Sequence, residues 1–468
     1  MAAVGDGDRL SNLPELIQVH IFSMLPNCKQ VVQTSVLSSQ WRSLWKSVPA
    51  SLNFDSTDDK DLSGFVRSVN RELHYWRSCE KIKSFSVCPF TYDGLIMDSD
   101  LYFWLHFATY TAQVEEFTLK FCDTAFPECM YDFPEFAYRN TVLRNLVLRN
   151  CELKPSGNVK WSNLVSLSIG DAYISEDVME KILSGCPNLE CLELDKVLGI
   201  RLLKISSVKL RKLIVTMYER LEYDYEYYDE LYCIEIDAPY IRQLELWGSC
   251  CNELHFQLRN VTSLVTAVLS LSVDFSGLED SLEEECRYLQ ELLRHVPHVK
   301  NLELGPWCIE CLSILELKGW QSPPSRRKFL ELSVAEDQLD FPGICSFLQS
   351  SLDLETLVID WFGDSPRDLL SRYTNKDKQT MRFETHNFNG SFPHLKTVKI
   401  DNLWGLLSEN KFVLPLVKYL LKHAIVLEKF VIAASFLGSD AFPDHAEMTQ
   451  EFLSFPRSSP HISVVFSY

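Results

Sequence analysis

One short pattern, repeated twelve times, constrains this chain more than any other feature. It sets an apolar residue, two variable ones, an apolar residue, one variable one and a further apolar residue, L-x-x-L-x-L in its fullest form. Copies stand at Ile82-Phe85-Val87, Val114-Phe117-Leu119, Leu143-Leu146-Leu148, Leu164-Leu167-Ile169, Leu189-Leu192-Leu194 and Leu210-Leu213-Val215. They continue at Ile241-Leu244-Leu246, Leu264-Ala267-Leu269, Val299-Leu302-Leu304, Leu354-Leu357-Ile359, Leu395-Val398-Ile400 and Leu427-Phe430-Ile432. Their starts lie 21 to 55 residues apart, and the shorter steps match the period of about 20–29 residues at which strand-and-return units stack. The longest step, between Val299 and Leu354, leaves room for a weak copy near Leu330-Leu332-Val334.

Within a copy the last three pattern residues alternate inward and outward like a strand. The stretch that follows, such as residues 175–183, has helical spacing through Val178, Ile182 and Leu183. One unit is thus a strand and a return segment. It cannot bury its apolar edge alone, so neighbours stack into a curved solenoid with a parallel sheet and helical returns, an α/β fold. The alternative is a generic α/β sheet protein with leucine-rich strands. Its crossovers would be longer and more uniform, and it would leave the phrases LRNLVLRNC, LVSLSIG and GCPNLECLEL unexplained.

Ahead of the repeats, residues 9–48 hold three helical patterns. The first covers 13–25, with Pro14 and Glu15 in its opening turn and Pro26 as its stop. Leu13, Leu16, Ile17, Val19, Ile21, Phe22, Met24 and Leu25 cover almost every face, leaving Glu15, Gln18, His20 and Ser23 as a thin polar remainder. A surface helix needs one apolar stripe only. The third pattern, capped by Ser38 or Ser39, sets Trp41, Leu44, Trp45 and Val48 at helical spacing, with both tryptophans on one face. A module of about 40 residues sits near the limit of independent folding. It is expected to be an adhesive head, each large side chain covered by a partner contributing roughly 1.5–3 kcal/mol before association costs.

The segments LPELIQVHIFSMLP, TSVLSSQWRSLW and KSVP resemble the F-box of plant F-box proteins, and the repeats resemble the leucine-rich repeats that commonly follow it. The resemblance implies docking on the Skp-type adaptor of a cullin–RING ubiquitin ligase. Leu13, Pro14, Ile17, Ile21, Leu25, Val36, Leu37, Trp41 and Trp45 would form the F-box core and adaptor contact. This chain departs from the family pattern at Leu16 and Gln18, where an acidic and an apolar residue are usual, and at Gln33 and Gln40, where Arg or Lys is usual. The alternative, a helical cap closing the core of the following domain, accounts for an apolar helix but not for this order of motifs. Beyond Phe392, the runs FPHLKTVKIDNLWG, LPLVKYLLKHAIVLEKFVI and LSFPRSSPHISVVF resemble the FBD region of F-box/leucine-rich-repeat proteins. In physical terms this region is an α/β cap, with Val417, Leu420, Leu421 and Ala424 on one helical face, shielding the last strand edge. The expected division is F-box 8–54, helical linker 55–80, irregular leucine-rich repeats 81–391 and FBD-like cap 392–468.

With 45 Lys and Arg against 64 Asp and Glu, the formal net charge is −19. This balance argues against nucleic acid and anionic membranes as partners and favours basic protein segments. The opening MAAVGDGD has no basic n-region or apolar h-region, and no run reaches about 18 apolar residues, so a cytoplasmic or nuclear location is expected. Fifteen cysteines, irregularly spaced in apolar contexts, read as buried free thiols. The single C-x-x-C, Cys308 and Cys311, has no second pair with which to complete a zinc site, and Cys250-Cys251 is a lone vicinal pair. The sequence has no G-x-S-x-G, G-x-x-x-x-G-K or H-E-x-x-H. No metal, cofactor or intrinsic enzymatic activity is therefore expected.

Two insertions could be contact surfaces or solvated loops: residues 219–231, ERLEYDYEYYDEL, and the basic 323–328, PPSRRK. The variable positions of the strands should form an inner, target-facing ridge, given a negative middle by Glu193, Glu245 and Glu303. The expected function is a non-catalytic substrate receptor of an SCF-type ligase, the head holding the adaptor and the solenoid a protein target with a basic segment. The rivals are a scaffold with a diverged F-box and a small-molecule sensor.

Overall fold

The computed structural model describes residues 10–25, 28–55, 62–77, 81–90, 92, 94–122, 130–217, 233–251, 255–274, 281–334, 341–361, 370, 373–375, 378, 381, 392–404, 413–435 and 450–467. The acidic, tyrosine-rich insertion 219–231 lies outside them. The chain divides into two compact units, Met1–Ile200 and Arg201–Tyr468.

In the first unit the head leads into six parallel strands in chain order: Ala50–Asp55, Ile82–Phe90, Glu116–Phe121, Asn145–Arg149, Ser166–Tyr173 and Cys191–Leu198. Return segments include the helices Leu62–Trp76, Gly94–His106 and Glu176–Gly185. In the second unit nine more strands run parallel in chain order: Lys212–Thr216, Gln243–Cys251, Thr266–Asp274, Asn301–Leu304, Phe329–Val334, Thr356–Trp361, Thr397–Trp404, Lys429–Ser435 and Ser463–Ser467. Each of the twelve pattern copies carries a strand. The sheet is open, and its chain-order succession of parallel strands with returns is the leucine-rich-repeat arrangement.

The pattern works because every second strand residue is buried. Phe117, Leu119, Leu146, Leu148, Leu302, Leu304, Leu330 and Leu332 are at most 1% exposed, while their neighbours in sequence stand half-buried on the other face. The weak copy is a full strand, Phe329–Val334, with Leu330 in register with Leu302 and Leu357. That register puts Arg327 where Val299 and Leu354 hold the first apolar position, and so conceals the copy in the sequence. The loop 323–328 is accordingly not simply exposed: Arg327 is buried, and Lys328 pairs with Glu355 at 2.6 Å.

Some returns are not helical. Leu202–Ser206, Cys233–Asp237 and His255–Arg259 form a second parallel sheet of three strands. LLKIS and CIEID alternate buried with more exposed residues at a period of two, a strand signal rather than a helical one. At the far end, the helix Leu414–His423 buries Leu416, Val417, Leu420 and Leu421, and Ser463–Ser467 adds a further strand beside Lys429–Ser435. The segment resembling an FBD thus continues the repeat plan.

Two recurrent devices explain the repeated phrases. The side chain before the first apolar position reaches back to a carbonyl of the preceding repeat: Asn163 to Thr141 at 2.7 Å, Asn188 to Ser162 at 2.7 Å and His298 Nε2 to Val261 at 3.1 Å. This rung accounts for the Asn-Leu of CPNLE. The residue five places after several strand starts has positive φ: Asn150 (56°), Asp171 (48°), Lys196 (53°), Gly248 (95°) and Asn402 (55°). Asn150 follows the end of its strand, whereas Asp171, Lys196, Gly248 and Asn402 lie within theirs and pairing resumes beyond them, so the left-handed residue bends the strand, at a conformation Asn, Asp and Gly adopt most readily.

Candidate functional site

The head is built on the helix Glu15–Ser23 and a short helix Cys28–Gln33, followed by 3₁₀ turns at Thr34–Val36, Gln40–Arg42 and Leu44–Ser47. The third sequence pattern is therefore not one α-helix, and Ser39, which precedes the turn Gln40–Arg42, makes no side-chain capping hydrogen bond. Three residues per 3₁₀ turn bring positions i and i+3 into line. Trp41 and Leu44 accordingly share the buried face, while Trp45 turns onto another.

Phe22, Val31, Trp41, Leu44 and Val48 form the head's own core, with Val19, Ile21, Leu25 and Trp45 packed around it. The Trp41 ring meets Phe22 edge-on at 5.0 Å. Trp45 is half-buried and meets Trp76, at the end of the helix Leu62–Trp76, at 5.5 Å with the planes at 88°. Trp76 itself is buried. The chain enters the repeat sheet at Ala50, inside the span expected for the head, as Ala50–Asp55 pairs in parallel with Ile82–Phe90. The head is therefore joined to the first repeat by strand pairing and by a tryptophan pair.

The nine residues assigned from the resemblance separate by exposure. Trp41 is buried, Leu13, Ile21, Leu25 and Trp45 are half-buried, and Pro14, Ile17, Val36 and Leu37 are exposed. Val36 and Leu37 are 84% and 69% exposed, and Leu16, at the family's usual acidic place, is 82% exposed. Leu10 and Met24 are exposed too. Gln18 is the residue the sequence did not mark as functional. It is 2% exposed, and its Nε2 lies 3.0, 3.0 and 2.9 Å from the carbonyls of Leu10, Ser11 and Leu13.

On the variable face of the repeats, the three expected glutamates differ. Glu193 is tied to Arg149 at 3.0 Å, whose guanidinium also lies 3.6 Å from Asp195. Arg149 crosses Gly170, where a Cβ would fall 2.4 Å from its Cδ. Glu245 is paired with Lys212 at 3.2 Å and receives hydrogen bonds from Gln243 Nε2 and Trp247 Nε1. Glu303 has no ion-pair partner among the described residues, and it stands in register with Glu331. Burial, then the charges of Glu331, Glu245 and Asp360, push the Glu303 carboxyl up to about 7. Glu331 is raised as well, by burial and by Asp360 and Asp401. The unneutralised acid of this face is thus Glu303 with Glu331.

Ten of the cysteines among the described residues are free thiols, Cys308 and Cys311 included, and among the described residues no group of three or more His, Cys, Asp or Glu could hold a metal ion. Cys308 and Cys311 lie fully buried on the helix Pro306–Leu317; burial pushes Cys308 up to about 12 and Cys311 well above the ordinary thiol value. No helix of the described residues is long and apolar enough to cross a membrane.

A helical head with apolar side chains left uncovered, carried on parallel strand-and-return repeats, defines a leucine-rich-repeat protein with a docking module. The sequence matches the family described as the At1g61320/AtMIF1 LRR domain over residues 77–446, and the F-box domain over residues 10–50. It is 32% identical over 372 residues to the F-box/LRR-repeat protein At3g03360 of Arabidopsis thaliana, covering 77% of this chain and 72% of that one. It is 28% identical over 442 residues to F-box/LRR-repeat protein At5g02910, covering 91% and 88%, and 25% identical over 472 residues to F-box/FBD/LRR-repeat protein At3g26920, covering 99% and 97%, both from the same plant. The chain belongs to the plant F-box/LRR-repeat family.

Proposed function

We propose that this chain is the non-catalytic, target-recognising subunit of an SCF-type ubiquitin ligase. The head docks a Skp-type adaptor, and through it a cullin–RING ligase, while the repeats hold a protein substrate. The observation that carries this reading is the exposed apolar set Leu10, Leu16, Ile17, Met24, Val36 and Leu37 on a module whose own core is already filled. Covering these six side chains contributes roughly 5–10 kcal/mol before association costs. Of the nine residues assigned from the resemblance, Pro14, Ile17, Val36 and Leu37 make the contact, with Leu13, Ile21 and Leu25 at its base. Trp41 and Trp45 support it from within.

The substrate presents a basic segment to the face bearing Glu193, Glu245 and Glu303, with Glu303 and Glu331 as its centre. Ubiquitin transfer then follows from proximity, the complex raising the concentration of target lysines near a conjugating enzyme. The test is co-purification of the full chain with a purified Skp-type adaptor. Val36→Asp with Leu37→Asp should abolish it without lowering the melting temperature, whereas a Trp41→Ala change unfolds the head. No adaptor binding by the wild-type chain would leave the protein a scaffold. Reversing Glu245, Glu303 and Glu331 to Lys should release any target trapped on the ligase-dead double variant; retention would sink the acidic-face reading.

A further inference from the structure

Gln18 lies on the inner side of the head's first helix and is 2% exposed. The helix Glu15–Ser23 starts at Pro14 with no side-chain cap. The chain before it is a turn closed by one backbone bond, Leu13 N–H to the Leu10 carbonyl at 3.2 Å. Gln18 Nε2 brings together three carbonyls of that turn, those of Leu10, Ser11 and Leu13, all at 3.0 Å or less. The two hydrogens of one buried –NH₂ are thus shared among three main-chain acceptors and tie the turn to the helix from inside.

The consequence falls on the surface. The turn carries Leu10, 50% exposed, next to Pro14, Leu16 and Ile17. The turn is closed by Leu13 N–H to the Leu10 carbonyl and touches Ser38 through Ser11 Oγ at 3.5 Å, and Gln18 adds the contact that fixes it to the helix bearing Ile17. Tethered through Gln18, it is ordered before docking.

We propose that Gln18 is a positioning residue for the adaptor contact, acting through the turn Leu10–Leu13 and never touching the adaptor itself. The inference rests on the adaptor reading above. It assigns to a buried polar side chain the role of presenting Leu10 as part of the apolar face.

The test is a double-mutant cycle in the full chain, with a purified Skp-type adaptor as the probe and the dissociation constant as the readout. Leu10→Ala in the wild-type background should weaken binding about tenfold. Gln18→Met, of similar length but with no N–H to donate, should weaken it by a similar factor. In the Gln18→Met background Leu10→Ala should cost less than twofold, because the turn no longer presents Leu10. A merely structural role for Gln18 would leave the Leu10→Ala factor unchanged, and that result would overturn the proposal. Amide exchange at Leu13 supplies an independent arm: Gln18→Met should speed it at least tenfold with or without adaptor. Unchanged exchange also overturns the proposal. If the wild-type chain binds no adaptor while exchange at Leu13 still responds to Gln18→Met, the adaptor reading fails, and with it Gln18's role in docking, while the tether itself stands.

Discussion

Replacing Arg327 by Met should make this protein more stable. Arg327 fills the first apolar position of its repeat, between Val299 and Leu354 in the neighbouring ones, and is 1% exposed. Its Nη1 donates to Ser325 Oγ at 2.8 Å, its guanidinium lies 4.6 Å from the centre of the Phe347 ring, and its Nε has no partner. Among the described residues no carboxylate pairs with it, and burial lowers its pKa to about 10. The fall from the usual arginine value corresponds to about 3 kcal/mol against the charged form. A depressed base is penalised in the fold wherever it is still protonated, so this cost applies at every pH below about 10. Substitution forfeits a cation–π contact of about 1–2 kcal/mol and a hydrogen bond of about 1 kcal/mol. The Met sulfur recovers part of this against Phe347. The balance is a gain of about 1–2 kcal/mol, in line with the effect of replacing buried charges by apolar side chains of similar volume. Urea unfolding of the full chain at pH 7 measures it, with a rise in melting temperature of roughly 2–4 °C per kcal/mol. A loss of about 1 kcal/mol or more in both Arg327→Met and Arg327→Leu would refute the reasoning, for it would mean that the guanidinium is compensated in the fold.

Three further outcomes follow from the geometry. The Glu303 carboxyl, held near 7 in the fold, titrates lower when unfolded, so the folded chain binds the extra proton and stability falls as pH rises from about 4 to 7. Glu303→Gln should therefore gain about 1 kcal/mol at pH 8, after allowance for solvent screening, and much less at pH 5; equal urea midpoint shifts at the two pH values would contradict this. Gly248 has φ +95° and a Cβ there would lie 2.4 Å from the Met217 carbonyl oxygen, whereas a Cβ at Gly319, φ +87°, meets nothing within 4 Å. Gly248→Ala should cost about 2–3 kcal/mol in thermal unfolding and Gly319→Ala about 1 kcal/mol. Gly170→Ala should displace Arg149 from Glu193 and Asp195 and cost about 1–2 kcal/mol, and should add almost nothing in an Arg149→Met background, which a double-mutant cycle reads directly.

The repeats were legible because burial on one face of a strand has a period of two, and leucine at three fixed places records it. The copy at Leu330 was half-hidden because a buried arginine can stand in for a leucine when an aromatic face receives its charge. The three β returns escaped because attention to the leucine frame assigned every return a helix, although LLKIS and CIEID carry their own alternation. In the head, the spacing of Trp41, Leu44, Trp45 and Val48 fits an α-helix, but 3₁₀ turns at Gln40–Arg42 and Leu44–Ser47 divide the two tryptophans between different faces. Gln18 could not have been read as a tether, since the carbonyls it collects belong to a turn whose path no local pattern specifies. The apolar residues of the head were legible as a set; which of them point outward was not.

Composition alone placed an acidic surplus in this chain without saying where it acts. Pairing decides that. In the first unit a glycine, Gly170, opens a path for Arg149 to reach across a strand and neutralise Glu193, so that glutamate is bound in the fold before any partner arrives. In the second unit Lys212 does the same for Glu245. Glu303 and Glu331, adjacent in register and in no ion pair among the described residues, keep the cost of two desolvated carboxyls close together; Lys399, itself paired with Asp401, offsets Glu331 in part. Evolution could remove that cost with one lysine at either position or at Val268 or Val358, which neighbour them in the same row of the sheet. On the function proposed above, a basic segment of the substrate would remove it instead, only while bound, and the same desolvation that raises the two carboxyls would strengthen their hold on a cation once it is there. The acidic face and its proton affinity are therefore one property: protonation of Glu303 near neutrality would compete with the proposed basic segment for the same carboxylate, so any binding to this face should weaken as pH falls below about 7.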